Sequence, residues 1–143
     1  SINETHGQTV KQKYGRLGAF GEAAAGYPHV QIALADYFSR DLVLSDENTL
    51  HMLLAIIAHL DDTCILYRSA PSVLANVHSL ASIANQEALP NQAFQTLDDY
   101  CQQMHVSPGG SADLLAVSLF LLSLTKWTVS DSFVLPYKAV LSK

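Results

Sequence analysis

The chain has 143 residues, of which 49% are apolar and only 15% charged, and its formal net charge is −5. That length supports one domain with a real core, and the composition excludes a disordered chain. The acid excess argues against a general nucleic-acid binder, and the longest apolar run, Leu114 to Leu124, broken by Ser118 and Ser123, falls short of the about 20 residues a bilayer crossing takes.

Residues 3–14 are polar and read as a short amphipathic helix closed by Gly15, with Lys11, Lys13 and Arg16 at its end. Such cations either complement the helix dipole or attract phosphate. Gly15, Gly18, Gly21 and Gly26 then predict a loop pressed against another surface, with Glu22 as its acid. Pro28 suits a first helical position, and Val30, Leu34, Tyr37 and Phe38 give an apolar face to about Ser39. Ser45 or Asp46 caps the next helix, which the pattern carries to about Tyr67. Leu50, Leu53, Leu54, Ile57, Cys64 and Ile65 occupy one face and Met52, Ile56 and Leu66 much of the other, the signature of a central, buried helix.

On that helix Asp61 falls on the Leu50–Leu54–Ile57 stripe and Asp62 about 100° away. Buried adjacent carboxylates cost several kcal/mol unless a cation neutralises them. Arg68, Mg²⁺, or both would serve; a purely structural Asp–Arg bridge is the alternative. His51 and His59 lack a zinc spacing and read as core or surface histidines. His59 and Asp62 alone make only a weak case for a metal-dependent nucleotide hydrolase.

A break at Ala70-Pro71 precedes a helix from Ser72 to about Glu87, with Val73, Leu74, Val77, Leu80, Ala81 and Ala84 inward. After Leu89-Pro90, Asn91 caps a helix to about Met104, with Phe94, Leu97 and Cys101 on its core side and Asp98 and Asp99 in solvent. Ser107-Pro108-Gly109-Gly110-Ser111-Ala112-Asp113 then runs directly into an apolar helix. Ser111 reads as its N-cap and Asp113 as a first-turn acid, and the glycines offer backbone amides to an anion. The tail from Val129 to Leu141 is mixed, with Pro136. Cys64 and Cys101 have no metal or framework spacing, which points to a reducing, cytoplasmic setting, and no secretory signal opens the sequence. The expected fold is all-α: a single multi-helix bundle over residues 1–143 with a buried central helix.

Acids, helix-start amides and an arginine suit a magnesium-bound polyphosphate, without any GxxxxGK[ST] loop. The stretch PGGSADLLA before its apolar helix resembles a signature of the triphosphoribosyl-dephospho-CoA synthase family. Two more stretches are similar in the same order: Tyr14-Gly15-Arg16-Leu17-Gly18-Ala19-Phe20-Gly21-Glu22-Ala23 and Asp62-Thr63-Cys64-Ile65-Leu66-Tyr67-Arg68. The resemblance implies an all-α fold of which this chain is the carboxyl-terminal half, completed by an amino-terminal half or a second copy. It implies transfer of the triphosphoribosyl group of ATP to the 2′-hydroxyl of 3-dephospho-CoA, with adenine released. The product is the precursor of the prosthetic group of citrate lyase and malonate decarboxylase.

On that reading Asp61 and Asp62 bind magnesium, Arg16 and Arg68 take phosphate, and Gly109, Gly110 and Ser111 hold an anionic group. Glu22 or Asp113 is the base, and nucleic acid and membrane are not partners. The chain departs from the family pattern at Phe20, where arginine is expected, at Cys64, where asparagine is, and at Ser69 and Ala70, where glycines are. Those departures leave a second reading open, a non-catalytic helical interaction module.

Overall fold

The computed structural model describes residues 26–131, with side chains through 124. Six helices occupy them: α1 (Pro28–Phe38), α2 (Asp46–Ile57), α3 (Thr63–Arg68), α4 (Pro71–Ala84), α5 (Gln92–Gln103) and α6 (Gly109–Asp131). No strand occurs among the described residues, so the all-α expectation holds. Local chemistry sets most of the boundaries. Pro28 and Pro71 open α1 and α4 at positions where the missing N–H is no loss. The Ser45 hydroxyl accepts from the Asn48 amide, with Asp46 and Glu47 in the first turn of α2. Asn91 serves two helices: its Oδ1 accepts from the Phe94 amide at the start of α5, and its Nδ2 donates to the Ala84 carbonyl at the end of α4, at 2.9 and 2.8 Å.

Helix α2 lies between two apolar clusters. Leu54 and Ile57 pack with Ile65, Leu66, Val73, Leu74, Val77 and Leu97 from α3, α4 and α5. Met52 and Ile56 pack on the other side with Val30, Leu34, Leu114 and Leu122 from α1 and α6. Each such side chain contributes about 1.5–3 kcal/mol on burial. The central-helix expectation therefore holds for residues 46–57.

It fails beyond Ile57. The continuous helix expected to Tyr67 is two helices joined by residues 58–62. The His59 and Leu60 amides both return to the Ile56 carbonyl, which closes α2. Leu60 then drops into the α1–α6 cluster, and its carbonyl accepts from His78 Nε2 on α4. Asp61 and Asp62 accordingly lie in a link, and Asp61 is not on the α2 apolar stripe. The apolar pattern continues across the link because Leu60 and Ile65 are both core residues, so the periodicity carries no trace of the break.

A half-buried polar chain ties α1, α2 and the end of α4. His51 Nδ1 donates to Asn85 Oδ1 at 2.6 Å, and Asn85 Nδ2 donates to Asp36 Oδ2 at 3.0 Å. Arg40 Nε donates to Asp36 Oδ1 at 2.8 Å. His51 is thus a satisfied core histidine, 2% exposed. Asn85→Ala strands the buried His51 Nδ1, while Asp36 keeps Arg40, and the expected loss is about 1–3 kcal/mol in urea unfolding; an unchanged midpoint would show that water replaces the amide.

Candidate functional site

The site forms where the α2–α3 link meets the start of α6. Asp62 takes an extended conformation and caps α3: its Oδ1 accepts from the Cys64 amide at 3.0 Å. The same oxygen accepts from the Gly110 amide at 3.2 Å, and Oδ2 accepts from the Ser111 amide at 2.9 Å and the Ser111 hydroxyl at 3.0 Å. One carboxylate therefore closes the N-termini of two helices, where both dipoles favour negative charge. Asp62 is 2% exposed and Ser111 fully buried.

This arrangement revises several expectations. Ser111 is not the N-cap of α6, because the helix starts two residues earlier and its hydroxyl turns to Asp62. The amides of Gly110 and Ser111 do not face an incoming anion, because Asp62 already holds them. The Gly109 amide donates to the Ser107 carbonyl at 2.8 Å and that of Ala112 to Pro108 at 3.0 Å, which completes the first turn. Four donors also occupy the four lone-pair positions of the Asp62 carboxylate, which leaves it none for direct magnesium coordination.

The two glycines have a steric reason. A Cβ on Gly110 would lie 3.0 Å from Asp62 Oδ1, and one on Gly109 2.9 Å from Cys64 Sγ. Glycine here permits the close approach that the shared cap demands.

Around this joint the other expected residues are spread. Asp113 is exposed, but as the fifth residue of α6 it lies just past the first turn, so it is not the first-turn acid expected. It is near enough to Cys64 for its charge to act on the thiol. Asp61 is half-buried beside Asp62. Arg68 is exposed at the far end of α3, six residues on from Asp62 and so roughly 9 Å away along the helix, where it complements the dipole. It is the amide dipoles, rather than Arg68, that offset the buried Asp62 charge. Arg16 and Glu22 lie outside the described residues. Among the described residues, no three His, Cys, Asp or Glu side chains converge as metal ligands, and no helix is long and apolar enough to cross a membrane. Two roles left no sequence signal: Ser111 as a tertiary partner of Asp62, and His78 as the anchor of the link.

The family model of ATP:dephospho-CoA triphosphoribosyl transferase matches residues 1–132. The chain belongs to this family. It is 38% identical over 130 residues to a probable 2-(5''-triphosphoribosyl)-3'-dephosphocoenzyme-A synthase of Pseudomonas putida, covering 82% of this chain and 45% of that relative. It is 36% identical over 128 residues to the protein of the same description from Acinetobacter calcoaceticus, covering 84% of this chain and 44% of the relative. A 2-(5''-triphosphoribosyl)-3'-dephosphocoenzyme-A synthase of Haemophilus ducreyi is 37% identical over 127 residues, 84% of this chain and 39% of the relative. The chain thus spans less than half the length of these relatives. No solved structure matches it.

For this transferase-family chain the joint yields two measurable consequences. Gly110→Ala places a methyl group against a carboxylate pinned by four hydrogen bonds; it should lower stability by about 1–3 kcal/mol despite the gain of up to about 1 kcal/mol in helix propensity. Gly109→Ala should cost less, because the sulfur it meets is the free end of an exposed side chain; equal losses in thermal or urea unfolding would contradict this. Although the Cys64 side chain is exposed overall, its thiol is pushed above its ordinary value by partial burial first, then by the charges of Asp62 and Asp113, with the Gly110 amide partly offsetting them. A raised thiol value means less thiolate at a given pH. Iodoacetamide labelling of Cys64 at pH 8, in a Cys101→Ser background, should therefore lag behind a free cysteine peptide and quicken in Asp113→Asn. An unchanged rate in Asp113→Asn would place that carboxylate away from the thiol.

Proposed function

We propose that this chain carries part of the site that transfers the triphosphoribosyl group of ATP to the 2′-hydroxyl of 3-dephospho-CoA, in the cytosol. The observation that carries the reading is the family match over residues 1–132. In this reaction the bond from the ribose anomeric carbon to adenine breaks and a bond from that carbon to the acceptor oxygen forms. The hydroxyl proton goes to a base and adenine leaves with a proton. As in glycosyl transfer generally, positive charge develops at the anomeric carbon, so the site needs a base for the hydroxyl and a clamp on the triphosphate.

The geometry favours Asp113 as the base within the described residues. It is exposed, follows directly on the first turn of α6 and is carried by a helix start fixed from below. Glu22, outside the described residues, is the alternative base. Arg68 and Arg16 are the phosphate ligands. Asp62 does not fit a magnesium ligand, because its oxygens are occupied. Asp61 remains the carboxylate that would face a magnesium–ATP complex, since Mg²⁺ is commonly held by one or two carboxylates and the phosphates themselves.

The test uses the longest natural polypeptide that contains this chain. Adenine release from ATP should require 3-dephospho-CoA, and Asp113→Asn should reduce kcat about 10²–10⁴-fold. Near-normal turnover in Asp113→Asn would overturn its role as base, and wild-type protein that releases no adenine would overturn the reaction.

A further inference from the structure

We infer that Asp62 is a positioning residue for this transfer: through Gly110 and Ser111 it fixes where α6 begins, and with it the location of the Asp113 carboxylate. The inference rests on the reaction proposed above. Residues 107–112 cannot set that start alone. Pro108 has no side-chain acceptor, the Gly109 amide is spent on Ser107 and the Ala112 amide on Pro108. The two remaining first-turn amides, of Gly110 and Ser111, are met by Asp62 from 48 and 49 residues upstream. Ser111 is fully buried, so water cannot substitute. Asp113 follows Ser111 by two residues, just past the first turn. A slip of one residue in the helix start would swing it about 100° around the axis. Errors of about 1 Å in a reacting group can lower a rate about 10²-fold.

The competing role is direct metal ligation. It needs a free lone pair on Asp62, and the protein's own donors use all four positions. The two roles differ in what Asp62 is coupled to. A positioning carboxylate is coupled to Ser111 and indifferent to magnesium. A ligand is coupled to magnesium and indifferent to the Ser111 hydroxyl.

The experiment compares Asp62→Asn, Ser111→Ala and the double variant in the same natural polypeptide, by adenine release at varied ATP and varied Mg²⁺. Asp62→Asn keeps the shape but turns an amino group toward amide donors. Positioning predicts that kcat falls about 10–100-fold, while KM for ATP and the Mg²⁺ half-activation stay within about twofold. The double variant should be no worse than Asp62→Asn, because both changes break one joint. A tenfold or greater rise in Mg²⁺ half-activation, or losses that multiply in the double variant, would overturn the inference. Should Asp62→Asn fail to fold by circular dichroism, Ser111→Ala alone decides: it keeps both amide bonds and should lower kcat severalfold with KM and Mg²⁺ dependence unchanged. Full activity in Ser111→Ala would overturn the role. Wild-type protein without adenine release removes the reaction itself, an outcome distinct from an active enzyme whose variants behave as ligand losses.

Discussion

A single carboxylate, taken out of water and surrounded by four donors, sets the geometry of this bundle. Asp62 holds the Cys64, Gly110 and Ser111 amides and the Ser111 hydroxyl. Hydrogen bonds to an ionised group are roughly twice as strong as neutral ones, and here two helix N-termini add their dipoles at one point. Buried acids are usually matched by a cation; this one is matched by peptide groups. The apolar clusters on the two sides of α2 hold the helices together, but neither cluster specifies where α6 begins. The carboxylate does.

Helix existence and capping were largely legible in the sequence. Pro28, Ser45, Pro71 and Asn91 act at helix starts as their chemistry dictates, and residues apolar on several faces mark α2 as central. The end of α2 was not legible. Its cause is a set of contacts with distant partners: Leu60 entering the α1–α6 cluster and His78 holding the Leu60 carbonyl. A pattern read along the chain registers that Leu60 and Ile65 are apolar, not that the backbone turns between them.

The site shows the same division. The suspicion attached to Asp62 was sound, because an acid in an apolar setting has to be compensated. The compensator was misjudged, since amides leave no mark on composition. Ser111 carries the residue type of a local cap and acts as a partner across the fold, and Gly109 and Gly110 suit an anion cradle but instead admit Asp62 and Cys64 at close range. Asp113 is exposed as its sequence reading expects, but it is the fifth residue of α6 rather than a first-turn acid, because the helix begins at Gly109. The family match covers residues 1–132, and the chain spans under half the length of the relatives it matches.

The contact between Gly110 and Asp62 also constrains how the two positions can change over generations. Any side chain at 110 would set its first carbon 3.0 Å from the acid at 62, so the carboxylate would have to give way. Shortening the acid to make room strands the amides of residues 110 and 111. A change at either position therefore carries a cost that a matching change at the other could relieve.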